Sequence, residues 1–138
     1  MRHRLYYHLV WTTRDREPSV TARLAEFLCR YLRHVALEER ARILEIGAVS
    51  THLHLLLAAD PQTPLPRLIQ RLKGGSARVA FKDNVGVIRW AQGYNLETIT
   101  PSDIDGVRAY LRSQPTHHPE QAIDGWRGDA GIEETRQH

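Results

Sequence analysis

Two histidines, His52 and His54, stand two residues apart in the apolar stretch STHLHLLLAAD (residues 50–60). The stretch is short, rich in leucine and bounded by residues that favour turns, which predicts a buried β-strand. Side chains alternate faces along a strand, so the two imidazoles should point the same way, with Leu53 on the opposite face. Either the core accommodates two histidines for packing reasons, or the pair binds a ligand.

A second pair of polar residues lies near the end of a predicted helix, in the sequence TPSDIDGVRAYLRSQ. Tyr110 and Gln114 are four residues apart, so they should be neighbours on one side of that helix. Alone, the pair is explained by a tyrosine at the border of the core and an ordinary polar glutamine. With the histidines, the glutamine completes a three-ligand set with open positions for a divalent ion. A tyrosine one turn away could then attack a phosphate that the ion polarises.

The elements that must position these residues follow from the hydrophobic pattern. Strands are predicted at LYYHLVWTT (5–13), ARILEIGAV (41–49), THLHLLLA (51–58) and IRWAQGYNLETIT (88–100). Gly47 is expected to mark a bulge and Gly93 a break in the last strand. The second and third strands should form a hairpin.

Helices should connect these strands. One helix is predicted to start after Thr21. Two more are predicted to start at Thr63-Pro64 and Thr100-Pro101, where a threonine N-cap precedes a proline in the first turn. The last helix should run to about Gln114 and end at Pro115. The resulting order, β-α-β-β-α-β-α, predicts an α+β fold. Its first six elements have the pattern of a ferredoxin-like antiparallel sheet with helices on one face and the histidine strand in the centre.

Length and composition narrow the class of protein. The 138 residues, 41% hydrophobic and 25% charged, are typical of one soluble globular domain. Cys29 is the only cysteine, which excludes an internal disulfide and a cysteine-rich zinc site. No apolar stretch approaches the roughly 18–20 residues of a membrane span, and the N-terminus lacks a signal-peptide pattern. We therefore expect a cytoplasmic protein with no membrane partner.

Basic residues are concentrated in the first part of the chain. Residues 1–82 hold fourteen Lys and Arg against seven Asp and Glu, whereas residues 83–138 hold five against nine. On the predicted middle helix, four of the basic residues fall within about 60° of one another: Arg67, Arg71, Arg78 and Lys82. Arginine matches phosphate geometry, so the stripe could contact nucleic acid. A solvated helix face with a local irregularity at Gly74-Gly75 explains it equally well.

The ordered set of motifs resembles the single-tyrosine HUH transposases, which mobilise bacterial insertion sequences of the 200/605 type as single-stranded DNA, and their REP-associated relatives. The resemblance rests on HLH in a central strand and YLRSQ on the last helix, and extends to YYHLVWTTRDREP, LPRLIQRLKGGSAR, QGYNLETIT and SQPTHH. It implies an HUH transposase-like domain over residues 1–118 and leaves residues 119–138 as an irregular acidic tail. Thr51 departs from the family, because many relatives carry an aspartate before the first histidine.

The resemblance also implies residue roles. His52, His54 and Gln114 would hold Mg²⁺ or Mn²⁺, and Tyr110 would attack the scissile phosphate, leaving a 5′-phosphotyrosine and a free 3′-OH. No nucleotide cofactor is implied, because the phosphotyrosine conserves the bond. The partners implied are single-stranded DNA with an imperfect hairpin and a second copy of the chain, whose tyrosine helix often completes the metal site.

The same resemblance, together with the basic stripe, predicts which residues contact DNA phosphates. The candidates are all basic residues of the first loop and the middle helix: Arg14, Arg16, Arg67, Arg71, Lys73, Arg78 and Lys82.

Three other functions are open. The chain could be a dimeric module that grips hairpin DNA or RNA without cutting it, although binding alone does not need the tyrosine, histidines and glutamine together. It could be another metal-dependent hydrolase with an HxH strand, but an amidohydrolase barrel needs about 200–250 residues and a cupin is all-β. It could also be a dimeric ferredoxin-like protein that binds no nucleic acid.

Overall fold

A computed structural model of the protein describes residues 4–129. The strands are β1 (Leu5–Thr12), β2 (Ala41–Val49), β3 (His52–Ala59) and β4 (Asn95–Ile99). The helices are α1 (Ala22–Glu38), α2 (Leu65–Gln70), α3 (Ser76–Lys82), α4 (Ile104–Arg112) and α5 (Gln114–His117), and a π-helical turn (Arg71–Gly75) joins α2 to α3. Within residues 4–129, no helix has the length and apolar character that crossing a membrane requires.

The four strands form one sheet in the order β2-β3-β1-β4, and every neighbouring pair is antiparallel. The predicted ferredoxin-like arrangement is therefore confirmed, and the histidine strand β3 lies in the interior of the sheet. Each interior strand is hydrogen-bonded on both sides, so β3 is a rigid platform for the side chains that it carries.

Strand alternation separates the two faces of the sheet. Leu53, Leu55 and Leu57 of β3 belong to the main hydrophobic core, together with residues of α1, α2 and the helical turns that follow it. His52 and His54 point to the other face, which is covered by α4 and α5. The sheet therefore buries apolar side chains on one face and presents the histidines on the other.

Strand β2 contains a bulge, but it does not lie at Gly47 as predicted. The register shifts between Ile43 and Glu45, so Leu44 is the extra residue. Gly47 is needed for a different reason: a Cβ at this position would collide with the backbone carbonyl of Leu111 on α4. The glycine therefore lets the backbone of α4 approach the sheet closely.

Neither of the two predicted threonine N-caps, Thr63 and Thr100, is present, whereas Thr21 caps the helix that follows it. The Thr21 hydroxyl accepts a hydrogen bond from the Leu24 N–H (3.2 Å) and caps α1. The Thr63 hydroxyl instead donates to the Arg40 carbonyl (2.9 Å), and α2 begins at Leu65 without a side-chain cap. Thr100 precedes a single 3-10 turn, without a capping bond from its side chain to the backbone. Tertiary hydrogen bonds compete here with local capping.

The last helix also ends earlier than predicted. α4 stops at Arg112, Ser113 leaves the helical conformation, and Gln114 starts the short helix α5. Pro115 does not end a helix but occupies the first turn of α5, where its missing N–H costs no hydrogen bond. Tyr110 and Gln114 therefore belong to two successive helices rather than to one face of a single helix.

The regions around β4 and beyond α5 complete the described chain. β4 is shorter than predicted, and Gly93 before it has a φ of 85°, in agreement with the expected break. After α5 the chain is irregular apart from a 3-10 turn (Pro119–Gln121), yet it is packed: Ile123 is buried in the core and Trp126 packs against it. The rest of the predicted acidic tail, residues 130–138, lies outside the described residues.

Candidate active site

The two strand histidines lie side by side and are almost fully buried. His52 is 7% exposed and His54 is 8% exposed, and their ring centroids are 5.1 Å apart. Burial lowers the pKa of both imidazoles, and for His54 the value falls to about 3. The nearby His52 ring also disfavours a charge on His54. Both side chains are therefore neutral at physiological pH, which is the protonation state that a metal ligand requires.

His54 is oriented by a third histidine that sequence reasoning missed. His8 of β1 stacks on His54, and its Nε2 lies 2.9 Å from His54 Nδ1. His8 is in turn 3.9 Å from a carboxylate oxygen of Glu97 on β4. With Nδ1 engaged, Nε2 of His54 is the nitrogen left to bind another group. Strand pairing is the signal that could have identified His8. Val10 of β1 pairs with His54, and His8, two residues before Val10, lies diagonally opposite His54.

Gln114 reaches the same site from α5. Its side chain is fully buried, and its Oε1 lies 3.4 Å from His52 Nε2. Its amide Nε2 has no hydrogen-bond partner among residues 4–129. The structure therefore brings the predicted pair of histidines and the predicted glutamine together, although the break at Ser113 and not a continuous helix directs the glutamine inward.

Tyr110 projects from α4 over the histidines of its own chain. Its side chain is 42% exposed, and its ring lies edge-on to the His54 ring with centroids 5.9 Å apart. It also contacts the ring of His117, with centroids 5.2 Å apart. A phenol in this position is accessible to an incoming phosphate and adjacent to the histidine pair.

A buried carboxylate fastens the tyrosine helix to the sheet. Glu45 of β2 is almost completely buried, and its Oε1 lies 3.3 Å from Arg108 Nε and 3.2 Å from Arg112 Nε, both on α4. A buried carboxylate needs such partners, because an unpaired charge in the interior is costly. Together with the close approach of Leu111 to Gly47, this pairing docks α4 on the sheet of the same chain.

Among residues 4–129, no three His, Cys, Asp and Glu side chains are arranged to hold a metal, so an ion bound by the histidine pair would need the Gln114 amide as its third ligand. Adjacent ligands of an octahedral ion, each about 2.1 Å from it, lie about 3 Å apart. The 3.4 Å between His52 Nε2 and Gln114 Oε1 is compatible with this spacing. The carbonyl oxygen suits Mg²⁺ and Mn²⁺, and imidazoles suit first-row transition metals, so the mixed donor set is compatible with the Mg²⁺ or Mn²⁺ that the resemblance implies.

The middle helix does not carry one continuous basic stripe. The π-helical turn (Arg71–Gly75) inserts one extra residue, which confirms the irregularity considered at Gly74-Gly75 and turns the following part of the helix by about 100°. Arg78 and Lys82 are both exposed. They therefore lie further from Arg67 and Arg71 around the helix axis than the sequence suggested.

Arg67 and Arg71 are paired within the protein. Arg67 Nε is 3.1 Å from Glu39, and Arg71 contacts Glu39 at 2.8 Å and Glu38 at 2.6 Å. Hydrogen bonds from Arg71 lower the pKa of both carboxyl groups. Contact of these two arginines with DNA stays a prediction, and it would require them to exchange these partners.

The other predicted DNA contacts divide into two groups. Lys73 donates to the carbonyls of Ala91 (2.8 Å) and Gly93 (2.6 Å), so it holds the loop before β4, and burial lowers its pKa. Arg14 and Arg16 lie exposed on a 3-10 turn after β1. The charge of Arg16 contributes to the lowered pKa of His52, after burial, so this loop lies next to the site.

Comparison with known proteins identifies the family of this chain. Residues 1–114 match the sequence model of a family described as "Transposase IS200 like". The chain is 29% identical over 119 residues to the ISDra2 transposase TnpA of Deinococcus radiodurans, which covers 81% of this chain and 85% of that protein.

Two solved structures share the fold. The first is a protein of Deinococcus radiodurans R1 proposed to be a transposase, with a TM-score of 0.65 and 25% identity, over 89% of this chain and 95% of the other. The second is a REP-associated tyrosine transposase bound to a REP hairpin, with a TM-score of 0.63, over 86% of this chain and 70% of the other. At 13% identity, the second supports the fold alone.

Proposed function

Because the chain belongs to the IS200-like transposase family, we propose that it cuts and rejoins single-stranded DNA near hairpins through a 5′-phosphotyrosine on Tyr110. The single observation that carries this proposal is the contact of Tyr110 with the histidine pair: an accessible phenol lies against His54, His54 lies beside His52, and His52 contacts Gln114. A protein that only binds DNA does not need this combination of side chains.

The proposed step is a transesterification. The Tyr110 oxygen attacks the scissile phosphorus, a bond from this oxygen to phosphorus forms, and the bond from phosphorus to the 3′ oxygen breaks. The phenol proton is lost and the departing 3′ oxygen gains one, so the step consumes neither water nor a nucleotide. A DNA 3′-OH reverses the step, because a phenoxide is a fair leaving group.

We further propose that His52, His54 and Gln114 hold Mn²⁺ or Mg²⁺. When bound, the ion supplies charge neutralisation at the phosphate. The chain prepares for it by keeping both imidazoles neutral and by directing the buried Gln114 amide to His52. Binding of Mn²⁺ to the DNA-free protein, followed by electron paramagnetic resonance, tests this part of the proposal directly.

His117 is the side chain that we propose as proton acceptor for Tyr110, since its ring contacts the phenol ring, with centroids 5.2 Å apart. General-base catalysis typically contributes about 10²–10⁴-fold. His117→Asn should slow adduct formation by a factor in this range and leave Mn²⁺ affinity unchanged. An unchanged rate would assign the proton to water or to a phosphate oxygen.

For DNA binding, we propose that exposed basic side chains contact phosphates next to a hairpin. Arg78 and Lys82 lie on α3, and Arg14 and Arg16 lie on the turn beside His52. A REP-associated tyrosine transposase with the same fold was solved bound to a REP hairpin, so a DNA hairpin is the first substrate to test. A homodimer is a separate proposal, and sedimentation of the purified protein with and without DNA tests it.

The decisive experiment uses labelled single-stranded hairpin oligonucleotides with Mn²⁺ and a denaturing gel. A protein–DNA adduct that resists SDS, together with a released strand ending in a 3′-OH, is the expected result. Tight hairpin binding without any adduct would instead favour the non-cleaving hairpin-binding protein considered above.

A further inference from the structure

We propose that the segment after α5, residues 119–129, is a working part of the site, in which Gln121 and Thr51 act as positioning residues for His52. This proposal rests on the proposed metal-binding role of His52. The family match ends at residue 114, so the segment lies outside the part of the chain that the family defines.

The segment is fastened to the protein at several points. The Ser50 N–H donates to the Gln121 carbonyl at 2.7 Å, which ties the segment to the β2–β3 turn directly before the histidines. Ile123 is buried in the core. At the far end, Arg33 of α1 forms a two-pronged ion pair with Asp129, with distances of 2.6 and 2.5 Å. Gln121 is therefore held in place by backbone and side-chain contacts on both sides of it.

A chain of three side chains runs from this segment to the site. The Thr51 hydroxyl is buried and donates to Gln121 Oε1 at 3.1 Å. A hydroxyl has one proton to donate, so towards His52 Nδ1, 3.0 Å away, Thr51 can only accept. His52 must then carry its proton on Nδ1, and its Nε2 carries a lone pair.

This tautomer is the one that a metal site needs. Nε2 of His52 faces Oε1 of Gln114 at 3.4 Å, so two electron pairs face each other across the place where a cation would bind. In the other tautomer, a proton on Nε2 would bond to Gln114 Oε1 and occupy both ligand atoms. Groups that fix the tautomer of a ligating histidine typically change metal affinity by 10–100-fold when they are removed.

Four variants of the full chain test the proposal. Thr51→Val removes the hydroxyl and keeps the shape of the side chain, Thr51→Ser keeps the hydroxyl, and Gln121→Leu removes the acceptor. Gln62→Leu is the matched control, because Gln62 is exposed and has one side-chain partner, Arg40, away from the site. Each variant is studied by ¹H–¹⁵N NMR of the imidazole nitrogens without metal, and by Mn²⁺ affinity from electron paramagnetic resonance.

We expect the parent, Thr51→Ser and Gln62→Leu to show His52 protonated on Nδ1. We expect Thr51→Val and Gln121→Leu to shift towards the Nε2 tautomer and to bind Mn²⁺ about 10–100-fold more weakly. The proposal would be overturned if His52 of the parent protein carried its proton on Nε2. It would also be overturned if the Thr51→Val variant kept the His52 tautomer and the Mn²⁺ affinity of the parent. A parent that binds no Mn²⁺ while its NMR signals behave as expected would overturn the metal assignment and leave the positioning of His52 established.

Discussion

The ring of Tyr110 lies edge-on to the ring of His54 in the same chain, with centroids 5.9 Å apart and planes at 86°. The buried Glu45, paired with Arg108 and Arg112, holds the tyrosine helix in this position. Because Tyr110 lies beside the histidine pair of its own chain, we predict a site that is completed in cis.

Mixing two inactive variants tests the cis site. Subunits with Tyr110→Phe and subunits with His52→Ala should show no more adduct together than separately, because neither chain holds a complete site. As a control for subunit exchange, each variant is also mixed with the parent protein. These mixtures should retain the activity expected from the fraction of parental subunits that they contain. Activity restored in the double mixture would mean that α4 reaches across a dimer.

The second prediction concerns the nucleophile. Tyr110→Phe should abolish the SDS-resistant adduct, because the phenol oxygen forms the bond to phosphorus, while hairpin affinity stays close to that of the parent. Tyr94→Phe is the matched control, since Tyr94 is also an exposed tyrosine, and within residues 4–129 no ring contact joins it to the histidine pair. An adduct that survives Tyr110→Phe would identify another nucleophile, with Tyr6, Tyr7 and Tyr94 the first to examine.

The third prediction concerns the metal. His52→Ala with His54→Ala should remove Mn²⁺ binding and metal-dependent cleavage, since both imidazole ligands are lost, but should leave hairpin binding largely intact. His34→Ala is a suitable control because His34 is exposed on α1 and pairs with Glu38, away from the site. Calorimetric titration with Mn²⁺ and the gel assay give the two readouts. Parental cleavage by the double variant would contradict the metal assignment.

The fourth prediction separates the two halves of the basic helix. Arg78→Ala with Lys82→Ala should reduce the slope of log affinity against log salt by about 1.4–1.8, as expected for two lost phosphate contacts. Arg67→Ala with Arg71→Ala should change it less, because Glu38 and Glu39 already pair with these arginines. Fluorescence anisotropy of a labelled hairpin at several salt concentrations measures both. A larger effect of the second pair would show that it exchanges its carboxylates for DNA.

The fifth prediction concerns stability and pH in the metal-free protein. Burial lowers the pKa of His54 to about 3 in the folded state, below its ordinary value of 6.5. The unfolded chain therefore binds a proton that the folded chain excludes. The contribution of His54 to the free energy of unfolding is fully present above pH 6.5 and is lost progressively as the pH falls towards 3. From pH 7 to pH 5 the free energy of unfolding should therefore decrease by about 2 kcal/mol.

Urea unfolding at both pH values in the presence of a chelator measures this difference. His54→Gln should flatten the pH dependence, because glutamine does not titrate in this range. Equal slopes for the parent and His54→Gln would show that His54 does not titrate differently in the folded and unfolded chains.

Local patterns determined much of this protein. Period-two alternation is a property of a few neighbouring residues, so the strand STHLHLLLAAD and the common direction of His52 and His54 could be read directly from it. The order of elements restricted the fold to a ferredoxin-like sheet, because short connections between antiparallel strands leave few topologies. The motif set HLH and YLRSQ pointed to the family that the sequence match then showed.

Tertiary structure determined the side-chain orientations and pairings that those local patterns do not encode. Whether Gln114 reaches His52 depends on a break at Ser113 and on docking of α4 through Glu45, which lies 63 residues before Arg108. The partners of the histidines, His8 and Gln121, are distant in sequence, and no local periodicity links them to β3. The π-helical turn split the basic stripe by inserting one residue into the helix. Secondary structure follows from neighbouring residues, whereas the orientation and pairing of these polar side chains follow from contacts that exist only after the chain has folded.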